Sequence, residues 1–257
     1  MAENSIFSNI APKMVMDQYG HPAEHFNSEE EIKYYDILEQ FNIHLQLDKQ
    51  ILINEIFITA IRKEKLNLHV LMAYFENNSW YGKNINKKIS ENNTITYNWL
   101  NLLAPAINEY FTQIFAFLKI ENYHPNFVLA IDSLTLKIEG LVRDICMFSD
   151  VTTFFQTKDK NRNNIVREKD INALLREDPI KELFDEDDLL FFKFVLVEKA
   201  GLNLRHKVAH CLLDFSEYHL NYMHLLLIVV LKLGRYDFVK TDQAVEEKVA
   251  ESDNDKQ

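Results

Sequence analysis

Glycine and proline are scarce in this chain, with five of each in 257 residues. Strand-built folds need turn residues every eight to twelve positions or so, and this scarcity therefore favours helices. Cysteine is scarcer still, being limited to Cys146 and Cys211. The two form no paired metal or redox motif, and the expectation is a reduced cytoplasmic protein with two buried thiols. Long apolar runs are missing as well. The longest aliphatic stretch, Leu225 to Leu231, is far too short to cross a bilayer, so no membrane partner is expected. The opening Met1-Ala2-Glu3-Asn4-Ser5 lacks the basic start and apolar core of a secretory leader. Positive charge is not in excess either: the formal net charge is −11, which argues against indiscriminate coating of nucleic acid while leaving room for a local basic site. No Walker loop, dinucleotide glycine pattern or Gly-x-Ser-x-Gly occurs, so nucleotide hydrolysis and esterase chemistry have no support.

What is present is apolar material: 47% of the residues are hydrophobic and eighteen are phenylalanine, enough for a substantial core. Its periodicity predicts an all-α protein. Ser28-Glu29-Glu30-Glu31 reads as a capping box ahead of Ile32, Tyr35, Leu38, Phe41 and Leu45 at helical spacing. Asp48 is expected to cap a second helix through Ile61, and Leu66 to Phe75 a third. Asn77 to Asn93 is rich in asparagine and lysine and reads as an exposed connection. It divides an N-terminal helical region (1–93) from a helical domain (94–238), which an acidic, disordered tail (239–257) follows. Within the second region, Pro105 is expected to kink or restart a helix, and Pro125 to sit in the first turn of a long helix ending at Phe148. Val151 to Arg167 reads as a polar loop. Asp185-Glu186-Asp187-Asp188 suits the positive end of a helix that Gly201 would close in the left-handed conformation, with a four-carboxylate metal site as the rival reading. A last helix, opened by Asp214 or Ser216, runs through about Leu233. His219 and His224 on it are read as packing or solvent residues.

The segment Leu202 to Leu213 carries the chemistry. It sets Arg205, His206 and His210 into an otherwise apolar helical pattern, where each cation costs several kcal/mol to bury, on the order of magnitude usual for ions, unless it is paired or holds an anion. On one ideal helix, Arg205 and His210 point about 140° apart, whereas His206 and His210 share a face. Convergence of Arg205 and His210 needs either an irregular helix start or a second copy across a two-fold axis, and a homodimer is the expectation. His206 and His210 have the helical spacing of a zinc pair, but Lys207 stands where a hydrolytic zinc motif needs a glutamate, so no metal or other cofactor is expected.

In Arg205-His206-Lys207-Val208-Ala209-His210 the chain resembles the HEPN superfamily, whose signature is an arginine, a polar residue and, a few residues on, a histidine. It is closest to a bacterial branch of unknown function with the pattern Arg-Asn-x-x-x-His-Gly. Asp132 to Arg143, Asp187-Asp188-Leu189 and Gly201 to Arg205 resemble that branch too, so the similarity spans roughly Trp99 to Leu233. Two departures stand out: His206 replaces the branch's asparagine. Cys211 replaces its glycine, so a different backbone is expected just after His210.

The resemblance implies a C-terminal HEPN-like bundle with an N-terminal helical extension. It also implies metal-independent RNA cleavage by attack of the ribose 2′-OH, in a defence effector or toxin. Arg205 would bind phosphate, His210 would do the acid–base work and His206 would orient either one. Glu139 and Arg143, at i and i+4, are either an ordinary ion pair or the support that holds Arg205 or His210 from the neighbouring helix. Lys158, Lys160 and Arg162, with Lys207 on the motif helix, are candidates for RNA contact, the rival reading being a solvated basic loop. The alternative function is a non-catalytic module that binds RNA or protein, or a regulatory subunit docking on an antitoxin or defence partner.

Overall fold

The helices form where apolar residues recur at three- and four-residue intervals between polar caps, and the computed structural model describes residues 14–16, 22–26, 28–90, 93–160 and 162–236. The chain divides into two units, Met1–Ile51 and Leu52–Gln257. Residues 239–257, expected to be a disordered tail, lie outside the described residues.

In the first unit, β1 (Met14–Met16) and β2 (Pro22–His25) form an antiparallel hairpin ahead of α1 (Glu29–His44). Ser28 caps α1 as expected, its hydroxyl accepting from the Glu31 N–H. Asp48 caps nothing. It lies in a π-type stretch, Leu45–Lys49, where the Gln50 N–H bonds to the Leu45 carbonyl, and helix continues directly as α2 (Gln50–Arg62).

The second unit is mainly helical. After α2 come α3 (Leu68–Asn78), a short hairpin of β3 (Ile85–Ser90) and β4 (Asn93–Tyr97), α4 (Trp99–Lys119) and α5 (Val128–Phe148). A second hairpin, β5 (Phe154–Lys158) with β6 (Asn164–Glu168), leads to the short helices α6 (Ile171–Leu174) and α7 (Asp178–Leu183). α8 (Glu186–Leu196), α9 (Leu204–Ala209) and α10 (Leu220–Gly234) complete it. The centre is α5, which packs against α4, α6, α9 and α10. Ile131, Leu134, Ile138, Leu141, Val142 and Ile145 give α5 a wide buried face, and α10 is buried nearly all round from Met223 to Val230.

Several local expectations need correction. The chain is not wholly helical, because the two stretches read as loops, around residues 85–97 and 154–168, pair with themselves as antiparallel hairpins. Asn77 to Asn93 is no simple linker. Trp80 and Tyr81 are fully buried, the Trp80 indole donating to the Leu233 carbonyl at 3.1 Å and the Tyr81 hydroxyl to the Val230 carbonyl at 2.7 Å. They close the C-terminal end of α10, where the Leu233 carbonyl has no helical donor of its own. α4 runs through Pro105 without restarting, since the carbonyl this frees belongs to exposed Asn101 and water can satisfy it. Pro125 precedes α5 rather than opening it, and Phe127 is the cap residue. Of the two thiols only Cys146 is buried; Cys211 is exposed. None of the described helices is long and apolar enough to cross a membrane.

Gly201 is required for a different reason from the one the sequence suggests. Its φ is not left-handed; a Cβ there would lie 2.2 Å from the Phe194 carbonyl oxygen. The link from α8 to α9 presses against the end of α8, and the Leu202 N–H donates to that same carbonyl at 2.9 Å. The left-handed residue is Asn203, with φ 49°, directly before α9. Asparagine tolerates this conformation better than most side chains.

Candidate functional site

Glu139 is the hub. It sits on the inner side of α5 with its side chain 12% exposed, and each carboxylate oxygen takes one arginine. Oε2 accepts from Arg205 Nε at 2.7 Å and Oε1 from Arg143 NH2 at 2.8 Å. Arg143 continues the chain to Glu168 at the end of β6, at 3.2 Å. The order along the row is therefore Arg205, Glu139, Arg143, Glu168, with charges alternating. The reading of Glu139 as the support for Arg205 from the neighbouring helix describes this contact, and the i,i+4 ion pair with Arg143 exists beside it.

Arg205 uses only Nε in this contact. Its two terminal amino groups bond to nothing among the described residues, and its side chain is 27% exposed. A guanidinium held from behind in this way presents a rigid, forked pair of donors, a geometry that fits two oxygens of a phosphate. Arg205 and His206 line a cavity of about 180 Å³ together with residues that include Asp170, Asn172, Lys199 and Asn203.

His210 is exposed and stands at the C-terminal cap of α9, outside the walls of that cavity. Its ring is 4.5 Å from that of His206, centroid to centroid, so the two histidines do share a face. Among the described residues no bond joins Arg205 to His210, in keeping with their angular separation on a helix of only six residues.

After His210 the chain ends α9 in a Schellman motif. The Leu212 N–H reaches back to the Lys207 carbonyl at 2.7 Å and the Cys211 N–H to Val208 at 3.2 Å, with Cys211 at φ 52°. A cysteine thus adopts the left-handed conformation that glycine takes most easily, and the backbone after His210 is the one a glycine would give.

The basic candidates separate. Lys158, Lys160 and Arg162 are exposed on the β5–β6 hairpin, whose far end supplies Glu168 to the site. Arg162 adopts φ 65° in the turn. Lys207 is engaged with Glu217 at 3.3 Å. No group of three or more metal-binding side chains occurs among the described residues. Within the acidic run at the start of α8, Asp185 pairs with Arg235 and Asp188 is committed to a cationic cluster. Asp188 is 2% exposed and binds Lys232 Nζ at 2.5 Å, Arg235 at 2.9 Å and the Tyr236 hydroxyl at 2.8 Å.

Two buried polar clusters stand apart from this site; sequence reasoning missed the first, whereas His224 in the second was read as a packing or solvent residue and is buried. In the first, Asp144 Oδ2 accepts from the Trp99 indole at 2.9 Å and from the Tyr97 hydroxyl, and burial raises its pKa above the usual carboxylate value. In the second, His224 is fully buried on α10 between the Tyr110 hydroxyl at 2.8 Å and Asn54 Oδ1 at 2.7 Å, its ring stacked on Phe57. Asn54 Nδ2 donates to Asn221, so Oδ1 is left to accept; Nδ1 of His224 therefore carries the proton and Nε2 accepts from Tyr110. Burial pushes the His224 pKa down to about 3. The available signal was a charged or imidazole side chain at a core position of an apolar helix. No family model, curated protein or solved structure matches the chain.

Proposed function

We propose that the protein is a metal-independent endoribonuclease of HEPN type, acting as a homodimer. The observation that carries the reading is the state of Arg205, pinned through Nε by Glu139 with its terminal fork unoccupied beside His206. In the proposed reaction the ribose 2′-oxygen attacks the adjacent phosphorus and the bond to the 5′-oxygen breaks, leaving a 2′,3′-cyclic phosphate and a 5′-OH. His210 moves the proton, a role worth about 10²–10⁴-fold in rate for a well-placed group. Arg205 stabilises the added negative charge of the five-coordinate phosphorus. A single chain leaves His210 outside the Arg205 cavity, and this favours a site completed by a second copy across a two-fold axis. A role in defence or as a toxin, with an antitoxin or defence partner, follows from the family resemblance alone.

The test is cleavage of RNA by the purified protein in the presence of a chelator, with analysis of the product ends. Cyclic phosphate ends, lost in Arg205→Ala and in His210→Ala, are expected. Unchanged cleavage in both variants overturns the nuclease reading. Loss of cleavage with retained RNA binding in the wild-type protein itself would leave the binding module. Light scattering at micromolar concentration tests the dimer, and an active monomer overturns it.

A further inference from the structure

Arg143 also lines a second cleft, of about 370 Å³, with Lys87, Ile95, Tyr97, Trp99, Leu102, Gly140 and Asp144. Its walls are mainly apolar and aromatic, and the Trp99 ring packs directly on Gly140, where a Cβ would lie 2.7 Å from it. At its base Asp144 is 4% exposed. Both of its bonds go to Oδ2, from Tyr97 and Trp99. No group among the described residues bonds to Oδ1. Lys87, which is exposed, and Arg143 supply positive charge around the cleft. Oδ1 of Asp144 is reachable from the open, apolar-walled cleft, where a ligand that brings an N–H donor can meet it.

We infer that this cleft binds a guanine base, with its phosphate toward Lys87 and Arg143. Apolar and aromatic walls suit a planar heterocycle, and a few fixed polar groups set which one. Guanine is the base whose pairing edge carries adjacent N–H donors, at N1 and N2, that a carboxylate oxygen can accept. Uracil presents one N–H flanked by two carbonyls, which Asp144 repels. Because Arg143 bonds to Glu139 and also lines this cleft, a base held here neighbours the Arg205 centre. The origin of the base in an RNA substrate rests on the nuclease reading, whereas the cleft itself does not.

The test is calorimetric titration of full-length protein with GMP, IMP and UMP, alongside guanosine. GMP is expected to bind at least about tenfold more tightly than IMP, which lacks the 2-amino group, or UMP, since a site built to hydrogen-bond a ligand group discriminates strongly against its loss. Asp144→Asn sharpens this. The Tyr97 and Trp99 donors hold the amide oxygen on their side, so the amide N–H₂ faces the cleft and the preference should turn from GMP toward UMP. Lys87→Ala, at an exposed position, should weaken GMP toward the affinity of guanosine and leave guanosine unchanged. Equal binding of GMP and UMP, or a GMP preference that survives in a folded Asp144→Asn protein, overturns the assignment. RNA cleavage measured in parallel separates the two proposals. Base-selective nucleotide binding without cleavage removes the nuclease reading alone, and cleavage without base-selective binding removes the guanine cleft alone.

Discussion

Glu139 and Asp144 lie five residues apart on α5, both nearly buried, yet the protein accommodates them in opposite ways. Glu139 is bracketed by two arginines whose side chains reach solvent, 24% and 27% exposed. Asp144 is held by two neutral donors, a phenol and an indole, and the indole belongs to a tryptophan only 4% exposed. His224 repeats the second solution on α10, with neutral partners at both ring nitrogens. The difference teaches where reactivity sits. Ions paired at the edge of solvent can exchange one partner for a phosphate at modest cost, whereas neutral donors sealed in the core cannot leave without being orphaned. The first arrangement suits the proposed site and the second is scaffold, apart from the one oxygen of Asp144 that faces its cleft.

The largest expected effect lies in the scaffold. Folded His224 has its pKa lowered from 6.5 to about 3, so on acidification the unfolded chain takes up a proton well before the folded one. Stability contributed by the neutral, buried ring is complete above about pH 6.5 and is lost as pH falls, the loss ending near the folded pKa of about 3. At about 1.4 kcal/mol for each unit of pKa difference, the loss across this window is several kcal/mol. Urea denaturation across this range checks it. His224→Leu is expected to be less stable near neutrality, because Tyr110 and Asn54 lose a partner, but to show a much flatter decline on the acid side. An unchanged slope sinks the idea. Asp144 works the other way. Its folded pKa is raised above 3.8, so the folded state takes a proton first and acidification favours the fold through that range.

Removing each α5 carboxylate breaks the comparison directly. Asp144→Ala strands the buried Trp99 N–H and the Tyr97 hydroxyl, and a loss of about 2–4 kcal/mol is expected from two unsatisfied donors. Glu139→Ala strands two guanidinium groups that water can reach, so a smaller loss of about 1–2 kcal/mol is expected. Under the proposed nuclease reading its effect on RNA cleavage is larger, on the order of 10²-fold, because Arg205 is no longer held in place. Chemical denaturation and cleavage rates measured on the same preparations decide it. If Glu139→Ala costs more stability than Asp144→Ala, the distinction between site and scaffold fails.

How much of this the sequence makes legible follows from the range of each interaction. The helix of α5 through Phe148, the Ser28 cap and the pairing of Glu139 with Arg143 are local, set by spacings of three or four residues. The Glu139–Arg205 contact spans sixty-six residues, and the resemblance left it as one of two readings, with Arg205 or His210 as the partner. The β3–β4 and β5–β6 hairpins were missed because strands of five or six residues, mostly exposed, carry too few apolar positions (such as Ile95 and Tyr97, Phe154 and Phe155) to set a clear two-residue period. Trp80 and Tyr81 were misplaced in a linker because their partners, the carbonyls at the end of α10, lie about 150 residues away, with separations of 153 and 149. Backbone carbonyls have no sequence signature at all.

The smallest expected effect concerns the residue after the candidate acid–base group. Cys211 holds φ 52° in the Schellman turn that closes α9, a conformation that costs a non-glycine residue about 1 kcal/mol because Cβ crowds the following carbonyl. The side chain is exposed, so no packing is lost when it is removed. Cys211→Gly is therefore expected to raise stability by a few tenths to about 1 kcal/mol, the gain being trimmed by the greater freedom of glycine in the unfolded chain. Cys211→Val should lose about 1 kcal/mol or more, since a β-branched side chain suits this region least. Denaturation midpoints give the order Gly, Cys, Val. A glycine variant less stable than the wild type would mean that the cysteine side chain contributes something its backbone strain conceals, and that the turn after His210 is not set by glycine-like geometry.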